Sequence, residues 1–195
     1  RRIGKMTFYN CNSLKQIKLP LKLKSLGSRV FGGTGITSIT IPKTLESVYS
    51  DNGGALAGAK NLKEVIIEEG MEKIPSSLVY VDADNQIQKV QIPSSVKEIG
   101  DWAFRNCVCL TEMSFGKGLE KVGALAFYGC KGLKKISFTD NADANCELTI
   151  ENSAFAGCIN LEEVKLSENV RRIGKMTFYN CNSLKQIKLP LKLKS

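Results

Sequence analysis

Residues 99–122 read IGDWAFRNCVCLTEMSFGKGLEKV, and residues 173–193 read IGKMTFYNCNSLKQIKLPLKL. Both stretches follow one order: an apolar residue and Gly, an aromatic anchor, a Cys three residues after the anchor, and an apolar-x-x-apolar-x-apolar run. Such runs occur eight times, with starts 22 to 28 residues apart. They begin at Leu14, Ile36, Leu62, Ile87, Leu110, Leu133, Leu161 and Leu184. Self-similarity at this period is typical of a repeat protein.

Each copy predicts a short strand, because Val164-x-Leu166 alternates with period two and so presents one buried and one open face. The Pro after several runs, as in Pro42, ends the strand because it has no N–H to donate. The Gly after the next apolar pair, as in Gly123, suits a tight turn or a positive φ. The stretch Ala-Phe-x-x-Cys predicts a short helical turn with its Phe inside. One copy cannot bury its apolar face alone, so neighbours must stack on it.

The predicted fold class is therefore an α/β repeat. It is a solenoid with about eight short parallel strands on its concave face and short helical or 3-10 turns on its convex side. The repeating unit, cleanest at Ile99–Val122 and Ile173–Leu193, resembles the BspA-like leucine-rich repeats. The resemblance extends over almost the whole chain and implies a single leucine-rich repeat domain over residues 1–195. Tyr49–Ala59 and Pro75–Gln86 depart most from the pattern.

Members of that family are surface or secreted proteins of host-associated bacteria and some protists. The resemblance therefore implies a cell-surface or secreted location and a non-enzymatic, adhesive function. The implied partner is a protein, either of the host matrix or of another microbial surface. Two alternatives remain open from the residues: a structural spacer that projects another domain, and a His-independent hydrolase using Ser-Lys or paired carboxylates.

The charge is unevenly distributed, because residues 1–25 recur letter for letter as residues 171–195. The two copies hold 14 of the 28 Lys and Arg residues and none of the 19 Asp and Glu residues, so residues 26–170 carry a net charge of −5. The overall +9 is thus no argument for nucleic acid, and no nucleic-acid partner is predicted. The identical segments suggest an internal fragment of a longer array, whose uncapped ends would permit head-to-tail self-association.

The composition also excludes several kinds of functional site. With no His, the chain lacks His-based triads and His-metal sites. No apolar run is long enough to cross a membrane, so no membrane insertion is predicted. The spacing Asn141-x-Asp143-x-Asn145 is that of a calcium loop, but Cys146 stands where the turn Gly belongs and Asn152 where the bidentate Glu belongs. We therefore favour a plain turn and predict no metal site, no cofactor and no catalytic residue.

Seven cysteines raise the question of disulfides. The sequence places most of them in one repeat slot, where Thr34 and Ala59 stand in other copies. That slot suits a small interior side chain, so we expect a ladder of reduced thiols. Cys109 and Cys146 fall outside the slot and are predicted to be the reactive thiols.

The open strand face is the predicted binding surface, because a curved stack presents one accessible side. Its candidate residues are Lys18, Thr40, Glu64, Ile66, Lys89, Gln91, Glu112, Ser114, Lys135, Ser137, Glu163, Lys165 and Lys188. The face has no Trp, Tyr or Arg, the residues favoured at protein hot spots. Contacts there would be weak singly and gain strength from many repeats acting together. Tyr9, Tyr128 and Tyr179 follow the Phe anchors, which would point them outward on the convex side. For these three tyrosines and for Trp102 we favour packing between coils.

Overall fold

The computed structural model describes residues 1–51, 53–80, 85–143 and 145–194. Its regular elements are fifteen short strands, which form two parallel stacks. The first stack contains β3 (Ser38–Ile41), β5 (Glu64–Ile67), β7 (Lys89–Gln91), β9 (Glu112–Phe115), β11 (Lys135–Phe138), β13 (Glu163–Lys165) and β15 (Gln186–Ile187). The second contains β1 (Arg2–Ile3), β2 (Ser25–Leu26), β4 (Ser47–Val48), β6 (Lys73–Ile74), β8 (Glu98–Ile99), β10 (Lys121–Val122), β12 (Leu148–Ile150) and β14 (Val170–Ile173).

Each coil of the solenoid contributes one strand to each stack, except the first coil, which has a strand in the second stack only. The first stack is hydrogen-bonded in the order β3-β5-β7 and β9-β11-β13-β15, and the second in the order β1-β2-β4 and β6-β8-β10-β12-β14. The predicted parallel solenoid of about eight turns is therefore confirmed. Two features differ from the prediction. The run from Leu14 to Leu19 forms no strand, and the second stack was not predicted.

A continuous apolar core lies between the two stacks. In β5, Val65 and Ile67 are buried while Glu64 and Ile66 are half-buried, as the alternation predicts. Stacked phenylalanine rings run along the core, with centroids 5.3 Å apart for Phe104–Phe127 and for Phe127–Phe155. A single coil would leave both flat faces of its phenylalanine ring exposed. Each ring is therefore buried only where coils lie on both sides of it.

The turn side contains no helix within the described residues, so the predicted helical turns are not confirmed. Alternate amides explain why. Ala103 and Arg105 donate to carbonyls three residues back, whereas Trp102 and Phe104 donate to Ala124 and Ala126 of the next coil. A helix would need all of these amides for its own carbonyls.

Within the described residues, six turns contain two left-handed residues four positions apart. These exclude a helix as well, because the left-handed region is costly for most L-residues. In the turn of residues 101–106 they are Trp102 at φ 61° and Asn106 at φ 62°. Equivalent turns place Leu125 and Gly129 at φ 56° and 70°. Gly or Asn recurs at the second of these positions, and this was the sequence signal for a left-handed turn.

The Gly after the second-stack strand has a different function from the one predicted. Gly123 and Gly174 do not have positive φ. A Cβ on Gly123 would lie 2.7 Å from the amide nitrogen of Asp101 in the preceding coil. These glycines therefore permit close approach of neighbouring coils. Pro42 follows β3 directly and its carbonyl accepts from Leu45 N at 2.9 Å, which closes the predicted turn.

The seven cysteines are free, and three of those in the repeat slot, Cys107, Cys130 and Cys158, are fully buried. The Cys130 thiol lies 3.3 Å from the carbonyl oxygen of Phe104, and the Cys158 thiol lies 3.4 Å from that of Phe127. Burial raises the pKa of both thiols well above the ordinary value. Cys130 and Cys158 each fill a small interior space and donate to the preceding coil.

Candidate functional site

The outward side chains of the first stack form two rows, which we name the first-stack face. Most of the predicted residues lie on its strands: Thr40, Glu64, Ile66, Lys89, Gln91, Glu112, Ser114, Lys135, Ser137, Glu163 and Lys165. All of these side chains are exposed or half-buried. Lys18 and Lys188 are exposed too, but neither belongs to a strand. For Lys18 this corrects the prediction, because its run forms no ladder; β15 ends at Ile187, one residue before Lys188.

Charges alternate in sign from strand to strand along one row. The register pairs Glu64 with Lys89 across β5 and β7. It pairs Lys135 with Glu112 on one side and with Glu163 on the other. Because directly opposed residues on parallel strands lie close together, this order places attraction, not repulsion, at each step.

Several of these charges already have partners within the face. Lys89 Nζ lies 3.0 Å from Glu64 Oε1, and Lys135 Nζ lies 3.5 Å from Glu163 Oε2. The Gln91 amide donates to Glu64 at 2.7 Å, and this bond, together with Lys89, lowers the pKa of the Glu64 carboxyl. The face is therefore a nearly neutral, ordered polar surface, and a partner must exchange these bonds for its own.

The second stack forms an open, charged groove on another side of the coil, with a volume of about 610 Å³. Lys73 and Lys121 both reach Glu98, at 3.1 and 3.5 Å. Lys97 pairs with Glu72 at 3.3 Å. These ion pairs are exposed and add little stability singly. The sequence analysis missed this surface because strands of two residues are too short to show a period.

The residues of the calcium-like spacing make a turn. The Asp143 amide donates to Asn141 Oδ1 at 3.0 Å, and the Asn145 amide donates to Asp143 Oδ1 at 2.9 Å. These are side-chain-to-backbone turns of the kind Asn and Asp favour. No group of His, Cys, Asp or Glu suited to a metal occurs in the described part of the chain.

Glu64 and Glu147 are poor candidates for a general acid. The pKa of Glu147 is lowered by its hydrogen bonds from Lys194 and by the charge of Arg171. A catalytic acid near neutral pH needs the opposite shift.

In the described ranges, no helix is long and apolar enough to cross a membrane.

Sequence reasoning missed one cluster on the turn side. Trp102 and Tyr128 are half-buried, and together with Tyr80 they surround the guanidinium of Arg105. The turn positions of Trp102 and Tyr128 are visible in the repeat, but their meeting with Tyr80 depends on the irregular coil of residues 53–80. Tyr9 and Tyr179 are exposed on the turn side, so the favoured packing between coils does not bury them.

Comparison with known families gives a match to the BspA type leucine-rich repeat region, in six copies, over residues 1–82 and 80–195. The chain belongs to the BspA-type leucine-rich repeat family. Leucine-rich repeat proteins generally bind proteins, and their solenoids are typically non-enzymatic scaffolds. Membership in this BspA-type family is consistent with a protein-interaction module.

Solved structures of bacterial repeat proteins share the fold. A leucine-rich repeat protein from Bacteroides ovatus is 26% identical, with a TM-score of 0.50, over 97% of this chain and 58% of that one. One from Eubacterium ventriosum is 21% identical, with a TM-score of 0.51, over 97% and 64%. The BspA-type chain thus spans less than two thirds of these two relatives. No curated protein matches it.

Proposed function

We propose that this BspA-type chain is a non-enzymatic protein-binding module that mediates adhesion at a cell surface or in a secreted protein. Family membership supports this proposal, because repeat solenoids of this kind generally bind proteins. The partner we propose is a host matrix protein or another microbial surface protein. The contact surface is the first-stack face, whose rows of exposed polar side chains are regular from β3 to β7 and again from β9 to β15.

The observation that carries the site is the alternating charge row. Glu64, Lys89, Glu112 and Lys135 present both signs at neighbouring strands. A partner strand or loop with the complementary order can engage several steps at once, and each step contributes weakly because the pairs are exposed. Affinity therefore grows with the number of coils in contact.

The test is binding to immobilised matrix proteins, including fibronectin and fibrinogen, at low and physiological salt. The variant changes Glu64, Lys89, Glu112 and Lys135 together to Gln, which leaves the net charge unchanged. A matched control makes the same change at Glu72, Lys97, Glu120 and Lys121 of the second-stack groove. We expect saturable binding at physiological salt that the first variant loses and the control retains.

Two results would reject this proposal in favour of others. A spacer would tolerate the fourfold change and bind none of the panel. Binding that disappears at physiological salt would indicate the basic segments 1–25 and 171–195 instead, because exposed charges are screened at that ionic strength. For the hydrolase alternative, the lowered pKa values of Glu64 and Glu147 offer no support.

Self-association of copies is a second candidate, favoured by one specific difference between the identical segments. Leu19 is 5% exposed against the coil that follows it, whereas the equivalent Leu189 is 53% exposed. We propose that this open surface stacks on residues 1–24 of a second copy. Sedimentation velocity should show mass rising with concentration, and Leu189→Lys should suppress it. Ile159→Lys, at an exposed apolar residue outside both stacking surfaces, is the control. A strictly monomeric chain would refute the stacking.

A further inference from the structure

Four side chains on the turn side form what we name the Arg105 cluster: Tyr80, Trp102, Arg105 and Tyr128. The Arg105 Cζ atom lies 4.5 Å from the Trp102 ring centroid, 5.0 Å from that of Tyr128 and 5.2 Å from that of Tyr80. Tyr80 and Trp102 meet edge to face, with centroids 5.4 Å apart. All three distances are within the range of a cation–π contact.

Neighbouring coils hold this cluster in place through their backbones. Trp102 donates to the Ala124 carbonyl at 3.0 Å, and Asn106 donates to the Tyr128 carbonyl at 2.8 Å. Between these two links, Arg105 donates to the Trp102 carbonyl at 3.3 Å. The guanidinium and the three rings thus lie on hydrogen-bonded turns, so binding costs little further conformational entropy.

The Arg105 guanidinium has aromatic neighbours and, among the described residues, no anionic one. Its Nε is buried without a hydrogen-bond partner, and over the described ranges no carboxylate lies within ion-pair distance of it. Arg171, by contrast, lies 3.7 Å from a Glu147 oxygen and donates to the Glu168 carbonyl at 2.6 Å. Arg remains charged at all physiological pH values, so the cluster holds a permanent cation that the described residues leave without a counter-charge.

We propose that the Arg105 cluster is a docking surface for a carboxylate-bearing segment of a protein partner. This inference rests on the proposed protein-binding function and names a second surface for it. A guanidinium stacked on rings keeps its Nη edge for a bidentate carboxylate contact, and the rings beside it cover apolar atoms of the same segment. Trp, Tyr and Arg are the residues most enriched in binding hot spots, and the first-stack face has none of them.

The surrounding charge selects a protein carboxylate over a polyanion. Residues 26–170 carry a net charge of −5, which repels nucleic acid and sulfated glycans over their length. A segment with one or two carboxylates beside apolar side chains can pair with Arg105 without that long-range repulsion. Nucleic acid is therefore a competing outcome of the test, not the proposal.

The experiment uses Trp102, the single tryptophan of the chain, as its reporter. A blocked Leu-Glu-Glu-Leu peptide is titrated into the full chain at physiological salt, with a blocked Leu-Gln-Gln-Leu peptide as the control ligand. We expect a saturable change in Trp102 emission with the Glu peptide alone. Arg105→Gln should weaken binding about tenfold or more, and Arg105→Lys should restore part of it, since Lys keeps the charge but loses the fork.

Arg172→Gln is the matched control, because Arg172 is an exposed arginine of β14 outside the cluster. Thermal unfolding of each variant separates loss of binding from loss of fold. The inference fails if the Glu peptide does not bind, if Arg105→Gln binds it as the parent does, or if a single-stranded oligonucleotide binds the cluster more tightly. Matrix-protein binding that survives Arg105→Gln and is lost in the fourfold first-stack variant would overturn this inference alone. Absence of all matrix binding would instead reject the proposed function.

Discussion

Gly4 and Gly174 occupy the same place in two identical segments, yet only Gly174 lies against a preceding coil. A Cβ on Gly174 would lie 2.5 Å from the Asn152 amide nitrogen, whereas one on Gly4 would meet only the Thr7 hydroxyl at 3.6 Å. The two residues have the same local sequence, so the difference is due entirely to the neighbouring coil.

The first prediction uses this pair. Gly174→Ala should lower the free energy of unfolding by about 1–3 kcal/mol, because the backbone of Asn152 cannot yield to the added methyl group without displacing its coil. Gly4→Ala should change it by less than about 0.5 kcal/mol. Urea denaturation of both variants measures the difference. Equal losses would contradict the close-approach explanation.

The phenylalanine ladder should be most sensitive at its centre. Phe127 is fully buried and stacks at 5.3 Å on both Phe104 and Phe155. Phe127→Ala should therefore lower the free energy of unfolding by about 3–5 kcal/mol. Phe8, only partly buried and stacked on Phe31 at 5.9 Å, is the comparison. Its replacement by Ala should be clearly less costly, and an equal cost would argue against a stacked core.

Thiol reactivity should follow burial. Cys11 is exposed and Cys109 and Cys146 are half-buried, so these three should react first with Ellman's reagent in the native chain. Cys181 should react slowly, because burial raises its pKa to about 11. Cys107, Cys130 and Cys158 should react only after unfolding in guanidinium. Cys11→Ser should remove one fast thiol, and rapid labelling of Cys130 in the folded chain would contradict the ladder.

Acid should loosen the last coil first. The pKa of Glu147 is lowered below its ordinary value of 4.5 by hydrogen bonds from Lys194. A carboxylate with a depressed folded pKa stabilises the fold above its unfolded pKa and loses that contribution as the pH falls through the folded value. Hydrogen exchange of residues 171–194, corrected for intrinsic rates, should therefore accelerate below about pH 4.5. In Glu147→Gln that acceleration should be absent, and an unchanged pH profile would exclude this ion pair as the cause.

The fold was largely predictable because the apolar-x-x-apolar-x-apolar run recurs eight times. The predicted runs became strands of the first stack where they pair with a neighbouring strand, as at Val65 and Ile136. The left-handed turns were not predicted, since Trp102 and Leu125 are residues that rarely adopt positive φ. The Arg105 cluster was also missed, because Tyr80 lies one repeat before Arg105, in the stretch Pro75–Gln86 that departs from the pattern.

The thiols illustrate the same division. Cys11 and Cys181 have identical sequence neighbours on both sides over the repeated segment, yet Cys11 is exposed and Cys181 is half-buried. The sequence predicts Cys109 and Cys146 to be the reactive thiols, because they fall outside the repeat slot. Accessibility at Cys11 depends on which coil lies beside it, and no local pattern contains that information.

The identical segments separate what the sequence determined from what tertiary structure decided. The turn conformation is the same in both: φ is 56° at Met6 and 57° at Met176, and 60° at Asn10 and 57° at Asn180. Burial is not the same, since Leu19 is 5% exposed and Leu189 is 53% exposed. Backbone geometry follows from short-range sterics and hydrogen bonds that every copy repeats. Burial depends on the coil that stacks on each surface, and the sequence of a single copy does not specify that coil.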